Sequence, residues 1–423
     1  MQFRHERLDN GLDVIAECTD GALSTSVGFF VKTGARDETD ALSGVSHFLE
    51  HMIFKGTADL SADEINRRFD WMGASANAFT SEEDTVYYAA VLPPQQNEAV
   101  DLLARMMRPA LRADDFATEK LVILEEIRMY DDQPPFGADD RCRAAFFAGH
   151  PLARSVLGTA ASIETLPVEA MRDYQRRRYA PDNMVLAATG AVDFAALVAS
   201  AQRLCGDWEP APSPARLVPF TLPPGRPSTT DRIVRPAAAL EYVVRMTAGP
   251  DGGDESRYAA KMLAVVLGDE SGSRLYWSLV DSGDAEQASC HHHDFLDAGL
   301  FITQLSCDAA DVSPLLERIQ GHYREAAAGG ITRQELERAR NKLAGRVVLA
   351  GERPRRRLFS VGLEWAHEGV YRSVADDLRI VESITLDDLH GVLARWPLEG
   401  PGATVLAGPA ADAASPPSTS AAQ

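Results

Sequence analysis

Cysteine is scarce and poorly spaced. Cys18, Cys142, Cys205, Cys290 and Cys307 are odd in number, widely scattered and never arranged C-x-x-C. This excludes a disulfide-stapled scaffold and predicts free, buried or half-buried thiols in a reducing compartment. Long apolar runs are missing too, so no segment reads as a membrane-spanning helix. Met1–Arg7 carries neither an apolar signal core nor an Arg/Ser-rich presequence, and the expected location is cytoplasmic. Positive charge is in deficit: 42 Lys and Arg stand against 62 Asp and Glu, a net charge of −20. Such a surface repels phosphate backbones and anionic lipid, which excludes nucleic acid and membrane surfaces as partners. It suits a cationic substrate, although acidic surfaces more often serve solubility alone.

What is present is the balance of a soluble globular protein, with 45% hydrophobic and 25% charged residues in a chain of 423. That length predicts two or three domains. Seven prolines crowd Pro210–Pro227, too many for a helix or a central strand, and this stretch reads as an interdomain linker. Beyond Gly408 the chain is a low-complexity tail expected to be disordered. The two flanks of the linker are related. Ile163–Met171 matches Val381–Leu389 at an offset of 218 residues, and the same offset lays the strand ending at Gly190 on the strand ending at Gly408. The expected organisation is therefore a first domain at 1–208, a linker at 209–228, a homologous second domain at 229–408 and a tail at 409–423.

Each domain should be α+β. Leu8-Asp9-Asn10-Gly11-Leu12 carries an Asn-Gly hairpin signal, followed by strands at 13–18 and 26–33. Helical periodicity runs through 42–54, 61–72, 95–105 and 118–130, with further strands at 86–92 and 184–188. Hairpins interleaved with helices predict mostly antiparallel sheets with helices packed on one face.

The chemistry concentrates at His47-Phe48-Leu49-Glu50-His51. At about 100° per residue, His47, Glu50 and His51 share one helix face, and Val45, Phe48, Leu49 and Met52 form the apolar one. Imidazoles four residues apart lie about 6 Å from each other at their bases, close enough to ligate one ion. Glu50 projects beside them, placed to take a proton from water. The bland alternative is a chance pair of surface histidines. This H-x-x-E-H order is the inverzincin motif. A catalytic zinc needs a third protein ligand. Downstream, Glu119, Glu125 and Glu126 offer carboxylates on a second helix; Glu119 and Glu126 share a face, and spacing alone does not choose among the three.

Several segments in order make the chain similar to the M16 zinc metallopeptidases, the pitrilysin, insulysin and mitochondrial-processing-peptidase group. They are Leu8–Leu12, Gly44–Thr57, Asn77-Ala78-Phe79-Thr80-Ser81, Val122–Ile127, Tyr179–Met184 and Ser273-Arg274-Leu275-Tyr276. The resemblance covers nearly the whole chain and implies the short, two-domain type of LuxS/MPP-like metallohydrolase architecture. It implies one zinc per chain with His47, His51 and Glu126 as ligands, Glu50 as the general base and Glu119 in a supporting catalytic role. It also implies that Asn77, Ala78 and Phe79 form an edge strand that pairs with extended peptide substrate, a mode that holds a peptide without reading its side chains.

One departure stands out. The family places an Arg and a Tyr, spaced R-x6-Y, after the S-R-L segment to bind substrate and stabilise the oxyanion. Here those positions hold Val280 and Gln287, with no arginine between Arg274 and Arg318 and no tyrosine between Tyr276 and Tyr323. The expectation is a zinc-dependent endopeptidase of short or unfolded peptides in a dimeric clamshell chamber. Its partner would be a paralogous subunit supplying the Arg and Tyr, the alternative being a homodimer. Rival readings are a non-catalytic core-protein-like subunit and a maturation protease for a ribosomally made peptide precursor. His291-His292-His293 resembles a second metal site, but on a strand only two of the three can converge.

Overall fold

The computed structural model describes residues 1–212, 217–223 and 225–409. Among the described residues, eleven strands form two sheets. In chain order they are β1 (Gln2–Arg7), β2 (Asp13–Cys18), β3 (Thr25–Val31), β4 (Ser75–Thr80), β5 (Thr85–Val91), β6 (Met184–Gly190), β7 (Thr229–Val234), β8 (Glu241–Gly249), β9 (Gln287–Asp294), β10 (Gly299–Cys307) and β11 (Gly402–Gly408). The first sheet runs β1-β2-β6-β3-β5-β4 and the second β7-β11-β8-β10-β9. Each contains a single parallel pair, β2/β6 in the first and β7/β11 in the second, and is otherwise antiparallel.

The internal repeat is real in three dimensions. β6 and β11 begin and end 218 residues apart, and each lies between a parallel and an antiparallel neighbour. The helices Val168–Arg178 and Leu386–Arg395 begin at the same offset.

Contacts divide the chain into two units, but not by one cut in the linker. The first unit comprises Met1–Met129, Gly149–Val218 and Ala344–Ile380; the second comprises Tyr130–Ala148, Pro219–Leu343 and Val381 onward. Two equivalent helices are responsible. Helix Ala138–Phe146 packs on β8 and β11, and helix Pro354–Glu368 packs on β3 and β6. Each repeat thus lends one helix to the sheet of the other, which amends the boundaries 1–208 and 229–408 at two segments. The physical reason is burial. Leu358 and Val361 cover Ile15, Phe30, Val185 and Ala187, while the opposite face of the same strands packs Val14, Val27, Phe29 and Leu186 against the other helices. Most helices of the first unit lie on one face, and this single helix closes the second. Gly362 permits the approach, because a Cβ there would stand 2.2 Å from the Phe30 ring. A buried Arg357 on the helix donates to both Glu17 oxygens on β2 at 2.9 and 3.0 Å.

The linker has no helix or strand among its described residues, as its prolines require. Its second half is nonetheless tied down: the Phe220 ring lies 4.6 Å from that of Phe147, and Arg226 donates to the Phe146 carbonyl at 2.8 Å. Residues 213–216, residue 224 and all of the expected tail except Pro409 lie outside the described residues. All five cysteines are free, four of them buried and Cys18 half-buried. No helix among the described residues is long and apolar enough to cross a membrane.

Candidate metal centre

Helix Val45–Ile53 carries His47, Glu50 and His51. Val45, Phe48, Leu49 and Met52 are buried, so the apolar face anchors the helix as its periodicity requires. Its start is built with care. Gly44 adopts φ 88°, and a Cβ there would meet the Leu157 carbonyl oxygen at 2.6 Å. The two free N–H groups of Gly44 and Ser46 donate to the Glu38 carboxylate, each at 2.7 Å. Glu38 is buried, and that burial raises its carboxyl to about 8 despite the two backbone donors.

The acidic helix Ala113–Asp132 lies across from the motif. Glu126 Oε2 stands 3.8 Å from His47 Nε2 and 3.7 Å from His51 Nε2. Among the described residues, these three side chains are the one group whose metal-ligating atoms converge, all within 4.8 Å. A tetrahedral zinc with bonds of about 2.0–2.2 Å separates its ligand atoms by about 3.3–3.6 Å, so the donor set fits such an ion with a small contraction. His47 is also in the ligating form: burial, then the neighbouring His51, lowers its pKa to about 4 and keeps it neutral.

The three candidate carboxylates separate cleanly. Glu125 is exposed and accepts from Arg128 at 3.2 Å. Glu119 is buried and lies 2.8 Å from His51 Nδ1, an arrangement that places the proton on Nδ1 and leaves the Nε2 lone pair facing Glu126. Lys55 Nζ meets the other Glu119 oxygen at 2.5 Å. Burial pushes the Glu119 carboxyl up, but the hydrogen bonds from Lys55 and His51 outweigh it and the net shift is downward. Glu50 shifts the other way: burial raises it, against a 2.5 Å hydrogen bond donated by Thr80 Oγ1 to Oε2. Lys55 and Thr80 were not singled out by sequence reasoning, although both lie inside the segments quoted above.

Asn77, Ala78 and Phe79 lie on β4, the edge strand of the first sheet, which among the described residues pairs with β5 alone. In the second unit, Val280 ends the short helical turn Tyr276–Val280, and Gln287 opens β9 and is exposed. Arg274 is engaged elsewhere, donating to Glu335 at 2.6 and 3.0 Å. The histidine triplet lies on β9 and alternates as a strand must. His291 and His293 are exposed, and His292 is half-buried and hydrogen-bonded to the Pro250 carbonyl at 2.9 Å. The triplet does not converge on a common point.

Two family models match consecutive stretches of the chain. "Insulinase (Peptidase family M16)" matches residues 13–160, and "Peptidase M16 inactive domain" matches residues 165–343. An uncharacterized zinc protease of Mycobacterium tuberculosis is 32% identical over 413 residues, spanning 95% of this chain and 92% of its own. The chain belongs to peptidase family M16. An uncharacterized zinc protease of Streptomyces coelicolor is also 32% identical, over 92% of this M16 chain and 86% of its own length. Solved structures agree on the fold. A Helicobacter pylori protease superposes with a TM-score of 0.90 at 22% identity over 96% of this chain and 99% of its own. A Pseudomonas fluorescens M16 protein gives 0.89 at 19% identity over 97% and 98%. The converging donors all lie within the first matched stretch, and Val280, Gln287 and His291–His293 within the second.

Proposed function

We propose that this M16 peptidase is a zinc-dependent endopeptidase that cleaves short or unfolded peptides. The observation that carries the reading is the convergence of His47, His51 and Glu126 beside a half-buried Glu50. His47, His51 and Glu126 would hold one zinc. Zinc in such a site supplies Lewis acidity, polarising a carbonyl and bringing the pKa of a coordinated water to about 7. Glu119 orients His51 through its Nδ1 proton and is itself held by Lys55. Glu50 takes a proton from the attacking water as oxygen bonds to the scissile carbon, then passes that proton to the amine nitrogen as the C–N bond breaks. Asn77, Ala78 and Phe79 offer a free strand edge on which an extended peptide pairs through its main chain.

The test is metal analysis and peptide hydrolysis on Glu50→Gln. The variant should keep about one zinc per chain and lose about 10²- to 10⁴-fold in turnover. Full activity in this variant overturns the mechanism, and loss of its zinc moves Glu50 into the ligand shell. His47→Ala, by contrast, should lose zinc and activity together.

That Val280 and Gln287 occupy the family's Arg and Tyr positions supports a heterodimer in which a paralogous M16 subunit supplies those donors. Missing oxyanion donors cost about 10²- to 10³-fold in rate. The second repeat then serves as scaffold.

A further inference from the structure

Thr80 is the last residue of β4, cross-strand from Thr85. Its hydroxyl makes the only side-chain hydrogen bond to Glu50 among the described residues, 2.5 Å to Oε2. The two residues are 30 apart in sequence, so this contact exists only because the edge strand ends over the motif helix. We propose that Thr80 is a positioning residue for proton transfer: it fixes Oε2 so that Oε1 receives the proton, and it ties the base to the strand on which substrate docks. The inference rests on the peptidase reading above.

Three observations support it. First, a hydroxyl does not titrate in the working range, so it orients the carboxylate without competing for the proton. Second, Glu50 is half-buried, and a carboxylate with one oxygen pinned loses the rotational freedom that would spread the proton over two positions. Third, Thr80 directly follows Phe79, so main-chain pairing of a peptide along 77–79 and the placement of Glu50 belong to one rigid element. That element is braced behind: Phe359 packs edge-on against Phe79 with ring centres 5.7 Å apart, and against Tyr88 at 4.9 Å. The proton path balances. A water O–H bond breaks as Oε1–H forms and oxygen bonds to the carbonyl carbon; the same proton then leaves Oε1 for the nitrogen as the C–N bond breaks.

The experiment compares Thr80→Val, which keeps shape and β-branching, with Thr80→Ser, which keeps the hydroxyl. Both are made in the full-length, zinc-loaded chain and assayed beside wild type and Glu50→Gln on one unfolded peptide. A hydrogen bond to a charged group sets the expected loss in kcat for Thr80→Val at about 10- to 100-fold. KM should stay within about 2-fold, because the lost contact acts in the transition state and not in peptide pairing. Zinc content and the unfolding midpoint should match wild type, and Thr80→Ser should restore most of kcat. Wild-type kcat in Thr80→Val, beside an inactive Glu50→Gln, overturns this proposal and leaves the peptidase reading standing. A loss that appears in KM or in zinc content, or that Thr80→Ser shares in full, overturns it as well. Absence of zinc-dependent hydrolysis in wild type removes the peptidase reading and this proposal with it.

Discussion

At the scale of residues, the site is a set of carboxyl groups driven apart by their surroundings. Glu119 is pulled down by Lys55 and His51, Glu50 is lifted by burial, and Glu126 keeps enough exposure to face the two imidazoles. Glu38, which holds the start of the motif helix, is lifted by burial to about 8. This has a measurable consequence. Between an ordinary Glu pKa of about 4.3 and the raised value, the folded state keeps a proton that the unfolded chain has released. Stability from this group is therefore greatest at low pH and falls as pH rises toward 8. Glu38→Gln, which does not titrate, should flatten that part of the profile. Denaturant unfolding of both proteins at pH 5.5 and 8.5 checks it: the stability gap between wild type and variant should be smaller at the higher pH. Glu38→Ala should cost about 2–4 kcal/mol at pH 5.5, since two buried N–H groups lose their acceptor, and less at pH 8.5.

At the scale of elements, the edge strand β4 carries the most constraint. Thr80 faces the motif helix, while Phe359 of helix Pro354–Glu368 covers Phe79, and His367 of the same helix lies 2.7 Å from Asp84 just past the strand. Arg355 reaches Ser75 at the strand's other end, at 3.4 Å. A helix from the far end of the chain, beyond both matched family stretches, thus braces the strand expected to hold substrate. Phe359→Ala should loosen β4 by removing about 1–2 kcal/mol of aromatic packing, and should raise KM several-fold with zinc content unchanged. Michaelis kinetics with parallel metal analysis decide it. Gly362→Ala tests the same interface more harshly. With no room beside Phe30, overpacking should cost about 1–3 kcal/mol and lower the unfolding midpoint.

At the scale of the whole molecule, net charge and missing donors make two predictions. With −20 on the chain, peptides rich in Lys or Arg should be cleaved faster than matched acidic ones at low salt, and the difference should shrink at about 0.5 M salt as screening shortens the reach of the field. Equal rates at low salt would dispose of such steering. The lone chain should be a weak peptidase, and a paralogue with an intact Arg and Tyr should raise its rate about 10²- to 10³-fold. High activity from the zinc-loaded chain alone refutes the heterodimer.

Whatever depends on near neighbours is legible in the amino-acid order. The motif helix, its buried face and the i, i+4 histidines follow from about 100° per residue, and the Asn-Gly hairpin follows from local turn chemistry. The strand at 13–18 appears with the same limits as predicted, and the 218-residue repeat reappears as equivalent strands. β1 escaped notice because it is exposed along nearly its whole length and has no apolar alternation. Spacing left Glu119, Glu125 and Glu126 open and the resemblance implied Glu126; the tertiary structure adds the contacts of Glu126 and Glu119 with histidines some 70 residues away. It alone joined Thr80 to Glu50, Lys55 to Glu119 and helix Pro354–Glu368 to the first sheet. Helical and strand periods assign a residue to a face. They do not say which distant surface that face will meet, and in this chain the meeting of surfaces is what assembles the site.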